Sequence, residues 1–251
     1  MNREATGLAG ARHIIYERLG STNAEALALA RAGERGPLWI TATTQTAGRG
    51  RRGSQWASPA GNLHATLLLS EPSPPAQAPQ LAFVTGLALH DAVADCASEI
   101  GPLLQLKWPN DLLIDKGKVA GILIEGTSEP VFTVAIGIGV NCAIHPTDTI
   151  YPATDLAAIG ALVVPDALFA ALTASMQARL SQWNCGQGFA AIRADWLKRA
   201  AGLGEALQVR LPGRELSGRF EGLDENGRLL LAQDGAITRI TAGEVFGFGE
   251  T

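Results

Sequence analysis

Cysteine is scarce in this 251-residue chain: only Cys96, Cys142 and Cys185 occur. An odd number with no CxxC spacing argues against a disulfide framework and against a zinc site. A basic excess is missing too. The 20 Lys+Arg stand against 24 Asp+Glu, a formal net charge of −4, which argues against binding nucleic acid through bulk charge. No apolar run approaches the length of a membrane span. Met1 to Arg12 lacks the basic-then-apolar pattern of a secretory signal. Internal repeats and low-complexity tracts are also absent. Together these absences point to a soluble protein of a reducing compartment, the cytoplasm. A convincing nucleophile is lacking as well, since Cys142 beside Asn141 reads as a small buried residue.

What is present is enough apolar material, 47% of residues, for one large domain and a smaller appendage. Thr22 and Glu25 form a capping-box signature, which predicts a helix from there to about Gly33. Leu38–Thr43 and Leu63–Leu69 read as strands. Leu81, Val84, Ala88, Ala92, Cys96 and Ile100 recur at helical spacing, as do Leu168, Leu172, Met176, Leu180 and Trp183 after Pro165. Leu104, Leu106 and Trp108 alternate with Gln105 and Lys107, and Leu112–Ile114, Asp115-Lys116-Gly117 and Val119–Glu125 read as a hairpin.

The segment Val131–Asn141 is the most informative. Phe132, Val134, Ile136, Ile138 and Val140 are large and apolar, whereas Ala135, Gly137, Gly139 and Asn141 are small or polar. One face is therefore core, and the other is bare enough for a ligand or another backbone to approach. After about Gly202 the texture changes to short alternating runs broken by Pro212-Gly213, Asn226-Gly227 and Asp234-Gly235, which predicts a small β-barrel. The expected fold is α+β: a mixed β-sheet with helices packed on one side over residues 1–202, and the barrel over 203–251.

Gly48-Arg49-Gly50-Arg51-Arg52-Gly53 matches GxGxxG by letter, but Trp56, Ser58, Pro59 and Gly61 follow where a dinucleotide fold needs a helix. The phosphate-loop reading fails too, because Ser54-Gln55 replaces the Lys-Ser/Thr pair. What the segment offers is three guanidinium groups among three glycines, suited to closing over phosphate or carboxylate. A solvated mobile loop, or an Arg-Gly segment for RNA, fits the six residues equally well.

The segments in order are more specific. Ser21-Thr22-Asn23 is followed by Gln45 and the Gly48–Gly53 loop with Trp56. Then come Lys107-Trp108-Pro109-Asn110-Asp111, Lys118-Val119-Ala120-Gly121-Ile122-Leu123 and Gly137-Ile138-Gly139-Val140-Asn141. This set resembles the biotin–protein ligase family across nearly the whole chain, and the pairing of GRGRRG with KWPND is its most specific part. The resemblance implies a catalytic domain of the biotin/lipoate ligase type and an SH3-like C-terminal domain. Some family members carry an N-terminal helix-turn-helix domain. Too few residues precede Ser21 for one, so the expected type is monofunctional, with no role on DNA and none at a membrane.

By the same resemblance, Ser21, Thr22, Asn23 and Gln45 would contact the biotin ring. Arg49, Gly50 and Arg51 would close over biotin and the adenylate. Lys107 would sit between the biotin carboxylate and the α-phosphate of ATP, with Arg49 and Arg51 as the other catalytic cations. Arg51, Arg52, Trp56, Lys107, Lys118 and Asn141 would form the ATP subsite. Plainer roles compete at several of these positions. Ser21 or Thr22 serves as a helix cap, Gln45 as a loop ligand, Trp56 as core, Asn141 as a turn former and Lys118 as a hairpin flank. The metal ligands are not legible: Asp111 fits a Mg²⁺ ligand and an Asn-Asp turn alike.

The implied reaction joins two anions, a carboxylate and a phosphate. A positive charge ~4 Å away contributes roughly 4 kcal/mol at an effective dielectric near 20, so two or three cations with Mg²⁺ offset much of that repulsion. Biotin and ATP are then the small-molecule partners, and a lysine of a biotin carboxyl carrier protein is the acceptor. A homodimer is compatible with the resemblance. The rival of the same fold is a lipoate or octanoate ligase, whose glycine-run signature is absent here. An RNA-binding module conflicts with the acidic charge. A degenerate ligase that only binds biotin conflicts with intact Lys107 and Arg51.

Overall fold

The computed structural model describes residue 8 and residues 10–247. The segment read as lacking a secretory signal therefore lies mostly outside the described residues. The larger half contains β1 (Arg12–Leu19), α1 (Thr22–Arg31), β2 (Leu38–Gln45), β3 (Leu63–Ser70), α2 (Leu81–Cys96), β4 (Leu104–Lys107), β5 (Asp111–Ile114), β6 (Gly117–Thr127), β7 (Thr133–Val140), α3 (Pro165–Trp183) and α4 (Phe189–Leu197). The smaller half contains β8 (Ala206–Leu211), β9 (Arg214–Leu223), β10 (Leu229–Gln233), β11 (Ala236–Ile240) and β12 (Glu244–Phe246).

The first seven strands form one sheet in the order β1-β2-β3-β7-β6-β5-β4. Only β1 and β2 run parallel, so the sheet is mixed. Its two faces follow from the alternation in β7. Val134, Ile136, Ile138 and Val140 join the main core with Leu67, Leu69 and Ile122, beneath Leu87 of α2 and Leu168, Leu172 and Met176 of α3. Helices α2, α3 and α4 thus share one face, and the expectation of helices on one side holds for these but not for α1. The short α1 covers the other, where Ala26, Leu27 and Ala30 pack on Leu38, Ile40, Leu68 and Ala135.

Cap chemistry corrects one boundary. The N-cap of α1 is Ser21, extended at φ −156 and ψ 131, and its hydroxyl accepts from the Ala24 N–H. Thr22 is already helical, which frees its side chain for another partner. The long helix expected through Ile100 ends at Cys96 and passes into a 3₁₀ segment, Ser98–Leu103, containing Pro102. Two elements escape sequence reading: β1, an edge strand whose Ile14 and Tyr16 are only partly buried against the smaller core, and the nine-residue α4.

The second sheet is antiparallel, ordered β11-β10-β9-β8-β12. Its Leu207, Val209, Phe220 and Leu229 join the same core as the large sheet. Two backbone bonds fix the junction: Leu106 N–H donates to Arg199 O at 2.7 Å, and Ala201 N–H to Leu106 O at 2.9 Å. They also cover the outer edge of β4. Trp108 adds a side-chain tie, its indole N–H donating to Gly227 O at 3.0 Å. Gly227 has φ +80, and a Cβ there would stand 2.7 Å from the Phe83 ring. The KWPND segment is thereby clamped between the two halves.

Candidate active site

Strand register determines what the open face of the large sheet presents. One cross-strand row reads Lys107, Asp111, Gly121, Gly139 and His64. The next reads Leu123, Gly137, Thr66 and Ile40. Glycine at the middle of each row leaves a shallow floor, and other side chains come down onto it. A Cβ on Gly137 would lie 2.5 Å from Asn23 Oδ1, and one on Gly139 would lie 2.4 Å from the Trp56 indole. The bare face expected of β7 is thus real, and part of it is filled by the chain itself. A cavity of about 170 Å³ opens on this floor.

At one end the cavity meets the start of α1, where Ser21, Thr22 and Asn23 are all buried. Thr22 gives both its N–H, at 2.7 Å, and its hydroxyl, at 3.1 Å, to Gln45 Oε1. Gln45 in turn donates to Ser58 Oγ at 2.8 Å. The Thr66 hydroxyl donates to Asn23 Oδ1 at 2.7 Å, and Asn23 Nδ2 donates to Glu125 Oε2 at 2.9 Å. Such a fixed polar set beside a helix N-terminus suits a neutral ring bearing both donors and acceptors.

The glycine–arginine segment forms a tight hairpin. Gly50 N–H donates to Ser54 O at 2.8 Å and Trp56 N–H to Gly48 O at 3.0 Å, while Arg52 (φ 54) and Gly53 (φ 78) turn the chain. Gly48 permits the close approach, since a Cβ there would lie 2.4 Å from Trp56 O. Arg49 pairs with Glu125 at 2.8 Å and lines the cavity. Arg51 donates to Asn110 Oδ1 at 3.1 Å. Burial, and then the neighbouring Arg52, lower the Arg51 pKa from its ordinary value, and a guanidinium remains charged regardless. Arg52 is exposed and lies outside the cavity lining.

The far end is cationic. Lys107 stands 5.1 Å from the Tyr151 ring centre and 5.6 Å from that of Phe246. Burial is the main influence lowering its pKa, Lys118 adds to the effect, and Asp111 and Glu244 oppose it. Lys118 forms an ion pair with Asp111 at 2.7 Å and lies 5.5 Å from the Trp56 ring centre. Asn141 lines the cavity, but its amide is engaged, donating to Thr154 O at 3.0 Å. Among the described residues the buried Trp56 Nε1 has no hydrogen-bond partner, a donor that a ligand could satisfy.

The structure therefore gathers Ser21, Thr22, Asn23, Gln45, Arg49, Gly50, Arg51, Trp56, Lys107, Lys118 and Asn141 around one cavity. Sequence reading missed Glu125, Asn110 as partner of Arg51, and the wall of Tyr151, Glu244 and Val245. Glu125 had a legible signal, because it continues the alternation Gly121, Leu123 along β6. Tyr151 and the β12 residues had none, since long-range packing brings them in.

Among the described residues, no three His, Cys, Asp or Glu side chains are grouped to hold a metal. Mg²⁺ commonly takes one or two carboxylates plus substrate phosphates and water. Asp111 and Glu244 line the cavity and fit that limited role.

Comparison with known proteins identifies the family. Residues 17–141 match the Biotin/lipoate A/B protein ligase family, and residues 202–246 match the biotin protein ligase C terminal domain. The chain is 44% identical over 244 residues to the biotin–[acetyl-CoA-carboxylase] ligase of Paracoccus denitrificans, covering 92% of this chain and 99% of that protein. It is 34% identical over 240 residues to the Mycobacterium tuberculosis ligase of the same name, covering 92% and 87%. Among solved structures, the biotin protein ligase from Aquifex aeolicus in complex with biotin and ATP superposes with a TM-score of 0.81. That match has 26% identity and covers 94% of this chain and 97% of that one. With relatives of this similarity spanning nearly its full length, the chain belongs to the biotin/lipoate A/B protein ligase family.

Proposed function

We propose that the chain is an ATP-dependent biotin–protein ligase that makes biotinyl-AMP and transfers the biotinyl group to a lysine of a biotin carboxyl carrier protein. The observation that carries the reading is the polarity of the cavity. A hydrogen-bonding pocket at α1, bordered by the Arg49–Glu125 ion pair, shares one cavity with Arg51, Lys107 and Lys118. Biotin has the same polarity, a neutral ureido ring at one end and a carboxylate at the other.

In this reading Ser21, Thr22, Asn23 and Gln45 hold the ring. A carboxylate oxygen attacks the α-phosphorus, the bond to pyrophosphate breaks, and a mixed anhydride forms. Lys107 lies between the two anions and lowers their repulsion, and Arg49 and Arg51 add positive charge from the loop. Lys118 and Asn141 border the nucleotide, and Trp56 encloses it. Arg52, outside the lining, faces solvent beyond the phosphates. Asp111 or Glu244 would hold a Mg²⁺ ion brought with the nucleotide, which would supply further phosphate neutralisation. The acceptor amine then attacks the acyl carbon, the anhydride bond breaks, and AMP leaves. No enzyme nucleophile is needed. Burial pushes the Cys142 thiol up to about 11, away from thiolate chemistry.

No DNA contact is part of this activity. No helix among the described residues is long and apolar enough to cross a membrane, and the cytoplasm is the proposed compartment. Should two copies pair through the large sheet, β1 is the edge strand they would use, with Ile15 72% exposed.

The test is transfer itself. Incubated with ATP, Mg²⁺, biotin and a biotin carboxyl carrier domain, the protein is expected to add one biotinyl group to one lysine, read by mass spectrometry. Substituting that lysine by arginine should abolish the product. Equal modification of a lipoyl domain with lipoate would contradict the reading.

A further inference from the structure

Glu125 lies outside the cavity lining, yet two side chains of the site end on it. It reaches the open face by the alternation along β6 that also brings Gly121 and Leu123 there. One oxygen, Oε2, accepts from Asn23 Nδ2 at 2.9 Å and from Arg49 Nη2 at 2.8 Å. Asn23 is otherwise well fixed: it is 3% exposed, rests on Gly137, and accepts from Thr66 at 2.7 Å. Arg49 belongs to a hairpin loop and its side chain is 42% exposed. The carboxylate thus joins the sheet floor and an exposed hairpin at a single point, with a charge-assisted bond on the hairpin side.

We propose that Glu125 is a positioning residue for the biotin subsite, pinning Arg49 of the glycine–arginine loop to Asn23 at the start of α1. The inference rests on the ligase reading above and deepens it. Glu125 touches no substrate; it acts by holding Asn23 and Arg49 in one arrangement before biotin arrives. Ordering done in advance is not charged against binding, so the benefit falls on the affinity for biotin. ATP, whose contacts lie at the far end, gains little.

Glu125→Gln separates this role from a merely structural one. The amide still offers Asn23 an acceptor, but the charge that holds Arg49 is gone. The expected result is a biotin KM in ATP–pyrophosphate exchange raised about tenfold, with a smaller fall in kcat, since Arg49 also adds charge at the phosphate, and the ATP KM within about twofold of the parent. In the ligand-free protein, tryptic cleavage within Arg49–Arg52 should accelerate about tenfold, because the open population of the loop rises. In an Arg49→Met background the same substitution should change the biotin KM little, since the partner it acts through is missing. Glu125→Asp, which keeps the charge on a shorter arm, should fall between the two. Unchanged biotin KM and loop cleavage would overturn the proposal. So would equal rises in both KM values that add to the effect of Arg49→Met. If the parent itself shows no biotin-dependent exchange, the ligase reading fails separately, and the cleavage comparison still decides whether Glu125 holds the loop.

Discussion

Replacing Lys107 by methionine is expected to lower biotin-dependent ATP–pyrophosphate exchange about 10²- to 10³-fold, the usual effect of removing one preorganised charge from a transition state. The side chain lies in the row with Asp111, Gly121 and Gly139, at the end of the cavity remote from α1. Its ammonium is the group proposed to stand between carboxylate and phosphate. The protein should not lose stability. Burial lowers the Lys107 pKa, so the folded state holds that proton less tightly than the unfolded chain does. At neutral pH the charged lysine therefore costs folding energy, a penalty that disappears only as pH rises past the unfolded lysine value. A methionine of similar length removes the penalty, and the thermal midpoint should stay level or rise.

The same shift gives a pH signature. In the proposed mechanism the charged form is the active one, so kcat/KM for exchange should fall on the alkaline side, below the ordinary lysine value of 10.5. Lys107→Arg should erase that alkaline limb even if its rate is lower. Unchanged exchange in Lys107→Met, with biotin and ATP at subsaturating levels, would remove Lys107 from the mechanism.

Gly139→Ala should have the next largest effect. The new Cβ would stand 2.4 Å from the Trp56 indole, a separation that packed atoms do not tolerate. Gly139 lies mid-strand between its partners His64 and Gly121, so the backbone cannot move aside and Trp56 must. Trp56 closes the hairpin through its N–H to Gly48 O, and its displacement would carry Arg49 and Arg51 with it. Exchange should fall about 100-fold, the usual result of misplacing catalytic groups by about 1 Å. Stability should drop by roughly 1–3 kcal/mol from overpacking. Adding Trp56→Ala should restore most of the stability, because the clash is gone, but not the activity. Equal destabilisation in the single and double variants would show that Trp56 does not rest on this glycine.

Much of the site was legible because the residues that build it are unusual for their elements. Gly137 and Gly139 sit where a strand would otherwise carry side chains, and Lys107 occupies the open-face register of a strand whose Leu104 and Leu106 are core. Three glycines and three arginines in Gly48–Gly53 likewise stand out from ordinary loop composition. What escaped depends on tertiary context. Strand β1 is an edge strand with little buried surface, so its alternation is weak. The capping pattern at Thr22 was displaced by one residue because Gln45, distant in sequence, takes the Thr22 hydroxyl and N–H. The contribution of Glu244 and Val245 to the cavity follows from docking of the second sheet, which no local pattern encodes.

The most direct measurement is ATP–pyrophosphate exchange in the presence of Mg²⁺, run in parallel with biotin, lipoate and octanoate. A biotin–protein ligase gives exchange with biotin alone. Exchange driven by lipoate or octanoate, or by none of the three, would contradict that activity.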